Sequence, residues 1–126
     1  MVYPVSHWQM LTADPDGLAD FYESVFGWRI STSNGLGYRE VRTRPDGPVD
    51  GGIWPAGPGR PEMTQLFIEV DDIDAVLGNI EARGGRTFFP KQVLPDGDVM
   101  ALAIDPAGRP FGLMTRAQTI GHKSDR

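Results

Sequence analysis

The chain has 126 residues, enough for one domain with its own core, and its 40% hydrophobic and 23% charged residues are ordinary for a globular protein. The net charge of −5, without a basic cluster, argues against nucleic acid as a partner, and the absence of cysteine excludes disulfides and thiolate metal sites. No apolar run approaches a membrane span, and the first ten residues lack the basic start and apolar stretch of a secretory signal, so we expect a cytoplasmic protein without a membrane partner.

The first half of the chain has the pattern of a strand, a helix and three short strands. An apolar run at 5–12 predicts the strand, and a helix begins near Pro15 and ends at Gly27. The helix has one predicted buried face with the i, i+3, i+4, i+7 spacing, formed by Leu18, Phe21, Tyr22 and Val25. Strand candidates follow at 28–32, 38–43 and 52–54, separated by glycine turns such as 33–35.

The second half repeats this βαβββ order after a linker at 56–61 that is rich in proline and glycine. A strand at 64–70 precedes a helix that Asp72 caps and Gly84 ends, and strands follow at 87–94, 99–104 and 111–115. The buried face of this helix is predicted to be Ile73, Val76, Leu77 and Ile80. The polar segment 118–126 has no periodicity, so we expect a loose tail.

The two halves read as one duplicated unit. A shift of 58 positions places four residues on identical ones, namely Asp14 on Asp72, Asp16 on Asp74, Glu23 on Glu81 and Gly27 on Gly85. The prediction is a single α+β domain at 1–117 built from two βαβββ modules, at about 1–55 and 62–117. Two related modules in one domain create a cleft between them, where a ligand site is expected.

Alternation along the strands predicts which side chains face this cleft. The helix-facing set is Trp8, Met10, Thr12, Leu66, Ile68, Val70, Met100, Leu102 and Ile104. The cleft-facing set is His7, Gln9, Gln65, Phe67 and Glu69. Trp54 and Met114 are expected to add aromatic and flexible surface to the cleft, with Tyr38 as a further candidate. The small residues Ala101 and Ala103 would leave room for a ligand. Such a surface suits a flat organic ligand. The alternative is that this polar face only meets water, or that the aromatic residues belong to the core or to a dimer interface.

Three segments carry a resemblance to a known superfamily: SHWQMLTADPDGLADFYESVFGW, VDDIDAVLGNIEARGG and DPAGRPFGLM. Together they resemble the vicinal oxygen chelate proteins, which include glyoxalase I, bleomycin-resistance proteins and extradiol dioxygenases. The resemblance covers nearly the whole chain. It implies paired βαβββ modules, an eight-stranded U-shaped mixed sheet around a cleft, and a homodimer.

The resemblance also implies where a metal would be bound. Metal enzymes of this superfamily carry His, Glu or Gln ligands on the first and last strands of each module. On the first strands of the two modules these places fall on His7 and Gln65. On the last strands they fall on Gly51 or Gly52 and on Gly112, and a shift of 61 positions carries Gly51 onto Gly112. Glycine offers no side-chain donor, and a divalent site normally needs three or four ligands. We therefore expect no metal and no other cofactor. If a metal were bound, Glu40 is the carboxylate that could complete a site with His7.

Four functions remain open, one of which is a purely structural interaction domain that binds no small molecule. The first is a metal-free protein of the glyoxalase and bleomycin-resistance type that binds a small organic molecule for sequestration, sensing or as an accessory to an enzyme, with no catalytic residue. The alternative is a divalent-metal-dependent lyase, isomerase or dioxygenase with His7 as its firmest ligand. A metal-free acid–base role for His7, oriented by Glu40 or Glu69, is a further alternative. His122, in the tail, is expected to be inert.

Overall fold

In a computed structural model of the protein, the described residues are 2–31, 38–57, 59 and 61–117. They form ten elements: β1 (Val5–Thr12), α1 (Pro15–Phe26), β2 (Arg29–Ser31), β3 (Arg39–Arg42), β4 (Gly51–Pro55), β5 (Met63–Glu69), α2 (Ile73–Ala82), β6 (Arg86–Val93), β7 (Val99–Ile104) and β8 (Pro110–Thr115). The predicted order βαβββ, twice, is confirmed. The predicted turn at 33–35 and the predicted tail at 118–126, with His122, lie outside the described residues.

Both helices begin with the same capping contact. The Asp14 carboxylate accepts a hydrogen bond of 3.0 Å from the Gly17 amide, and the Asp72 carboxylate accepts one of 3.1 Å from the Ala75 amide. Each carboxylate satisfies an amide that the first helical turn leaves without a partner. The duplication read from the sequence therefore extends to the way the helices start.

The chain divides into two compact units. The N-terminal unit is His7–Leu66, and the C-terminal unit combines the residues up to Ser6 with those from Phe67 onward. Strands pair in the order β2-β3-β4-β1 in one half of the sheet and β5-β8-β7-β6 in the other, with β1 parallel to β4 and β5 parallel to β8. The remaining described pairs are antiparallel. An α+β fold with an eight-stranded mixed sheet and two helices is thus confirmed.

The core of the N-terminal unit lies between α1 and one face of its strands. Ala19, Val41 and Ile53 are buried at its centre, and the partly buried residues around them are Trp8, Met10, Leu18, Trp28 and Ile30. The prediction for β1 is right, but the predicted buried face of α1 is wrong at Phe21 and Val25, which are 51% and 57% exposed. Instead of entering the core, the Phe21 ring packs edge-on against Tyr22, which itself stacks on Trp28.

The core of the C-terminal unit lies between α2 and its strands. Val70, Ile73, Ala101 and Leu113 are buried there, with Ile68, Val76, Leu77, Ile80, Val99 and Phe111 packed around them. The predicted face of α2 is confirmed. Two other predictions are wrong: Leu66 is 53% exposed, and Ala101, rather than Met100 or Leu102, belongs to the helix-packed cluster. Ala101 pairs with Leu113 across β7 and β8, and directly opposed residues share a face of the sheet.

The pairing registers settle which first-module glycine corresponds to Gly112. Gln9 lies opposite Gly52 in the N-terminal unit, and Phe67 lies opposite Gly112 in the C-terminal unit. Ile53 and Leu113, which follow these glycines, both lie in helix-packed cores. Gly52 is therefore the counterpart of Gly112, which decides between the two glycines, Gly51 and Gly52, that the sequence left open.

Candidate functional site

The N-terminal unit has a second sheet surface, opposite the one that packs on α1. We call it the open face, formed by His7, Gln9, Leu11, Tyr38, Glu40, Gly52 and Trp54. Gly52 lies at the centre of this surface, because it is paired with Gln9 of β1 on one side and with Glu40 of β3 on the other. Since alternate residues of a strand point to the same side, His7 and Leu11 share this surface with Gln9, and Trp54 shares it with Gly52.

A polar pair stands on β1 of the open face. The Gln9 amide nitrogen lies 3.4 Å from His7 Nε2. An amide NH2 can only donate, so the contact is a hydrogen bond when Nε2 is unprotonated and the imidazole proton is on Nδ1. Gln9 is 7% exposed, whereas His7 is only partly buried. Of the two side chains, the His7 imidazole is therefore the one that a ligand can reach.

An aromatic pair lies beside it. The Tyr38 and Trp54 rings are stacked with their centroids 4.7 Å apart and a tilt of 30°. The same Tyr38 ring covers Gly52: a Cβ at position 52 would overlap Cε1, Cζ and the hydroxyl oxygen of Tyr38. The absence of a side chain at position 52 therefore lets the end of the Tyr38 side chain lie directly against the strand. Both rings are partly exposed.

Asp50, which directly precedes β4, ties the turn between β3 and β4 together. The Asp50 carboxylate accepts hydrogen bonds from the Thr43 hydroxyl and, at 2.7 Å, from the Thr43 amide. The hydroxyl bond, followed by the amide bond, holds the pKa of Asp50 below its usual range, because both bonds favour the charged form. Asp50 also donates its own amide to the Val41 carbonyl at 2.8 Å.

The C-terminal unit carries a related arrangement. A Cβ at position 112 would overlap the ring of Phe67, so this strand glycine is also covered by an aromatic side chain. Phe67 is 1% exposed, and Met114, which follows on the same side of β8, is 6% exposed. Glu69 is paired with Arg116 at 3.8 Å, and Arg116 donates a hydrogen bond of 2.9 Å to the Ser6 hydroxyl.

The predicted site residues are divided between the two units. His7, Gln9, Trp54 and Gln65 lie in the N-terminal unit, and Phe67, Glu69 and Met114 lie in the C-terminal unit. Gln65 is 4% exposed, and its amide contacts the Met63 sulfur at 3.2 Å. The sequence analysis named Tyr38 only as a further candidate for the site. The available signal was Gly52 itself, since a glycine inside a strand often marks the close approach of another group.

The donors present do not fit a metal centre of the kind the superfamily implies. Gly52 and Gly112 have no side-chain donor atoms, and the space beside each is filled by a ring. Within residues 2–31, 38–57, 59 and 61–117, no group of three or more His, Asp or Glu side chains is arranged to hold a metal ion. His7 Nε2 lies beside the Gln9 amide, and an imidazole with a neutral amide does not by itself supply the three or four ligands of a divalent site.

Comparison with known proteins establishes the family. The model of the Glyoxalase-like domain matches residues 8–114. The chain belongs to this family. Glyoxalase-like relatives include "Putative glyoxylase CFP32" of Mycobacterium bovis, which is 32% identical over 117 residues, covering 87% of this chain and 44% of that protein. "Anthracycline biosynthesis protein DnrV" of Streptomyces peucetius is 31% identical over 127 residues, covering 82% and 45%. The chain thus spans less than half the length of these relatives.

Solved structures agree with the fold. A variant of methylmalonyl-CoA epimerase from Streptomyces coelicolor, in complex with 2-nitronate-propionyl-CoA, superposes with a TM-score of 0.61 at 18% identity, covering 94% of this chain and 100% of that one. A glyoxalase/bleomycin resistance protein/dioxygenase superfamily member from Vibrio splendidus gives 0.60 at 15% identity, covering 91% and 100%. The superfamily predicted from the sequence is confirmed. In the described part of this glyoxalase-like chain, no helix is long and apolar enough to span a membrane.

Proposed function

We propose that this glyoxalase-like protein binds a planar organic molecule on the open face of its N-terminal unit and does so without a metal ion. The observation that carries the proposal is the position of the Tyr38 ring, which occupies the space beside Gly52 where a ligating side chain would stand. The same ring stacks on Trp54. The open face thus offers an aromatic platform in place of a metal ligand.

The chemistry of the open face suits such a ligand. Two partly exposed rings provide area for stacking, and offset or tilted stacking of aromatic groups is worth about 0.5–1.5 kcal/mol beyond simple burial. His7 and Gln9 supply a small number of polar groups at the edge of this platform. Apolar area with a few polar contacts is the usual composition of small-molecule sites. Sequestration, sensing or an accessory role are the uses that this binding supports.

The relatives are compatible with ligand binding and leave catalysis as the alternative. One relative is named for anthracycline biosynthesis, two are named as glyoxylases, and the epimerase structure contains a coenzyme A ester. A metal-dependent lyase, isomerase or dioxygenase would use His7, and Glu40 is the carboxylate placed opposite Gly52 on the same surface. A cytoplasmic location and a homodimer remain predictions from the sequence.

Two measurements on the purified protein separate these functions. The first is metal analysis by mass spectrometry, followed by calorimetric titration with Zn²⁺, Ni²⁺, Mn²⁺ and Fe²⁺. The second is binding of anthracene-2-sulfonate to the wild type and to Trp54→Ala. We expect no stoichiometric metal, and saturable probe binding that Trp54→Ala weakens about tenfold. One bound metal per chain that His7→Ala abolishes would overturn the proposal in favour of the metal enzyme.

The predicted dimer has its own test. Light scattering coupled to size exclusion gives the mass in solution, with the chain mass of 13.8 kDa as the reference. The relatives are more than twice as long as the part that this chain matches, which suggests that they contain room for a second domain of this size. We therefore expect twice the chain mass. A single-chain mass at micromolar concentration would remove the dimer from the proposal.

A further inference from the structure

We propose that the open face also binds an anionic group of the planar ligand, a carboxylate or a sulfonate, between Arg29 of β2 and Arg42 of β3. The inference rests on the proposed function, because it adds a negative charge to the description of the ligand for the same surface. It starts from the pairing of the two strands, which places Arg29 directly opposite Arg42. We call these two residues the arginine pair.

Both side chains of the arginine pair project from the open face. Ile30, which follows Arg29, and Val41, which precedes Arg42, belong to the core beside α1. Because successive residues of a strand point to opposite sides, the arginines lie on the other surface of the sheet. Directly opposed residues of antiparallel strands have Cβ atoms about 4.5–5.5 Å apart, so two positive charges are held close together. Arg29 is exposed and Arg42 is partly buried.

The protein does not neutralise the arginine pair with a carboxylate of its own. Within residues 2–31, 38–57, 59 and 61–117, neither arginine side chain forms an ion pair or a hydrogen bond. The nearby carboxylate of Asp50 is bound instead by the hydroxyl and the amide of Thr43. Like charges directly opposite each other on a sheet are destabilising. An anion bound between the two arginines would remove this repulsion.

Glu40 is the acidic residue nearest to the arginine pair on the open face. It precedes Arg42 by two residues on β3, and it is paired with Ser31, which follows Arg29 by two residues on β2. Alternate residues of a strand are roughly 6.5–7 Å apart, and Glu40 forms no ion pair with either arginine in the described part of the chain. Two positive charges and one negative charge leave this row positive, although the whole chain carries −5.

A ligand on the aromatic platform can reach the arginine pair. The Tyr38 ring lies against Gly52, and Gly52 is paired with Glu40. Arg42 lies two residues beyond Glu40 on the same side of β3, which is roughly 7 Å along the strand. A fused-ring ligand that stacks on the platform can therefore extend its edge to the guanidinium groups. A guanidinium is planar, always charged and presents its N–H donors in a fork that matches the oxygens of a carboxylate.

The strand registers identify the same row in the C-terminal unit. Each strand glycine is paired with a residue of the preceding strand, Glu40 in the N-terminal unit and Leu102 in the C-terminal unit. Two residues further along, Arg42 therefore corresponds to Ile104. The residue opposite Ile104 is Arg86. The C-terminal unit thus has a single arginine opposite an aliphatic residue at the place where the N-terminal unit has two opposed arginines.

The test compares two probes of the same shape that differ in charge, anthracene-2-sulfonate and its neutral analogue anthracene-2-sulfonamide. Fluorescence titration at low and at high NaCl gives the dissociation constant of each. At low salt we expect the wild type to bind the sulfonate about tenfold tighter, because hydrogen bonds to charged groups are stronger than those to neutral groups. The preference should fall as NaCl is raised, since salt screens exposed charges.

Four single variants and one double variant complete the design. Arg29→Gln and Arg42→Gln should each reduce the preference about threefold, the range of a partly solvated charge pair, and the double variant should remove it. Glu40→Gln removes the nearby negative charge and should increase the preference. Arg86→Gln is the matched control, because Arg86 takes the place of Arg29 in the C-terminal unit without a second charge opposite. It should keep the wild-type preference.

The outcomes separate the two proposals. Equal affinity of the wild type for both probes, or a preference that survives in the double variant, would overturn the anion site while leaving the aromatic site intact. Failure of both probes to bind would overturn the proposed function, and the anion site with it. Loss of the preference in Arg86→Gln would also contradict the assignment, because it would show that the effect follows the overall charge and not the arginine pair.

Discussion

The two units cover corresponding strand glycines with aromatic rings of different character. Over Gly112 the ring is Phe67, buried to 1% exposure, and over Gly52 it is Tyr38, partly exposed and stacked on Trp54. A buried hydrocarbon ring contributes mainly to stability, whereas a partly exposed ring retains surface that a ligand could contact. The two rings come from different places in the modules, because Phe67 lies on β5 opposite Gly112, whereas Tyr38 precedes β3 and Gln9 is the residue opposite Gly52. The modules therefore cover equivalent glycines by different packing.

The largest expected effect distinguishes the two glycines. Gly112→Ala forces the buried Phe67 ring out of position and should lower the free energy of unfolding by about 2–3 kcal/mol, the cost of overpacking a tight core. Gly52→Ala should cost less than about 1 kcal/mol, because the end of the partly exposed Tyr38 side chain can swing away. Urea denaturation measures both. Equal losses would show that Tyr38 is as much a core residue as Phe67.

The helix caps test how far the modules remain equivalent. Asp14→Ala and Asp72→Ala each remove a carboxylate that accepts from a first-turn amide, so each should destabilise the protein by about 1 kcal/mol. Asp14→Asn and Asp72→Asn retain an acceptor and serve as controls with little loss. The measurement is again urea denaturation. A large loss at only one helix would mean that the shared capping pattern has lost its role in the other.

A smaller effect, in the opposite direction, is expected on α2. Gly78 lies in the helix interior, and a Cβ at this position would meet no atom within 4 Å. Gly78→Ala should therefore raise the free energy of unfolding by about 0.5–1 kcal/mol, because glycine loses more backbone entropy than alanine. The corresponding position of α1, 58 residues earlier, is Asp20, and Asp20→Ala should change stability less. Thermal unfolding followed by circular dichroism compares the two.

The smallest effect concerns pH. Asp50 lies just before β4, and Asp105 lies a few residues before β8. Hydrogen bonds from Thr43 hold the pKa of Asp50 below its usual range. The pKa of Asp105 is also lowered, chiefly by the hydrogen bond that the Arg109 amide donates to it. Each contributes stability that is complete above the ordinary aspartate pKa. This stability is lost as the pH falls through the lower pKa of the folded state.

Denaturation between pH 6 and pH 3 tests this sign. Asp50→Asn and Asp105→Asn should each flatten the acid side of the stability curve, modestly because both carboxylates are solvated. A variant whose acid dependence matches the wild type would show that the turn concerned does not hold its aspartate in the charged form.

The fold was largely predictable from the sequence because its signals are local. Turn residues, caps and alternation defined the order of elements, and the face of α2 followed from the spacing of Ile73, Val76, Leu77 and Ile80. The face of α1 did not follow, since its aromatic residues pack on one another: Tyr22 stacks on Trp28, and Phe21 contacts both Tyr22 and Phe26. Periodicity indicates an apolar stripe but not how far large rings reach beyond it.

The site was less predictable, because it depends on register and on which strand face packs against the helix. Along β7 both faces are apolar, so alternation could not decide whether Ala101 or Met100 faces α2. The β3–β4 turn differs from its counterpart in length, so the sequence could not decide between Gly51 and Gly52. The contact of Tyr38 with Gly52 joins residues that no short-range pattern connects.

The central claim is that planar-ligand binding on the open face needs no metal ion. The most direct measurement is calorimetric titration of anthracene-2-sulfonate into protein stripped with EDTA, and again after addition of equimolar Zn²⁺. The account predicts the same affinity in both titrations and a much weaker one in Trp54→Ala. Binding that disappears after stripping and returns with Zn²⁺ would contradict it, because the metal would then be part of the site.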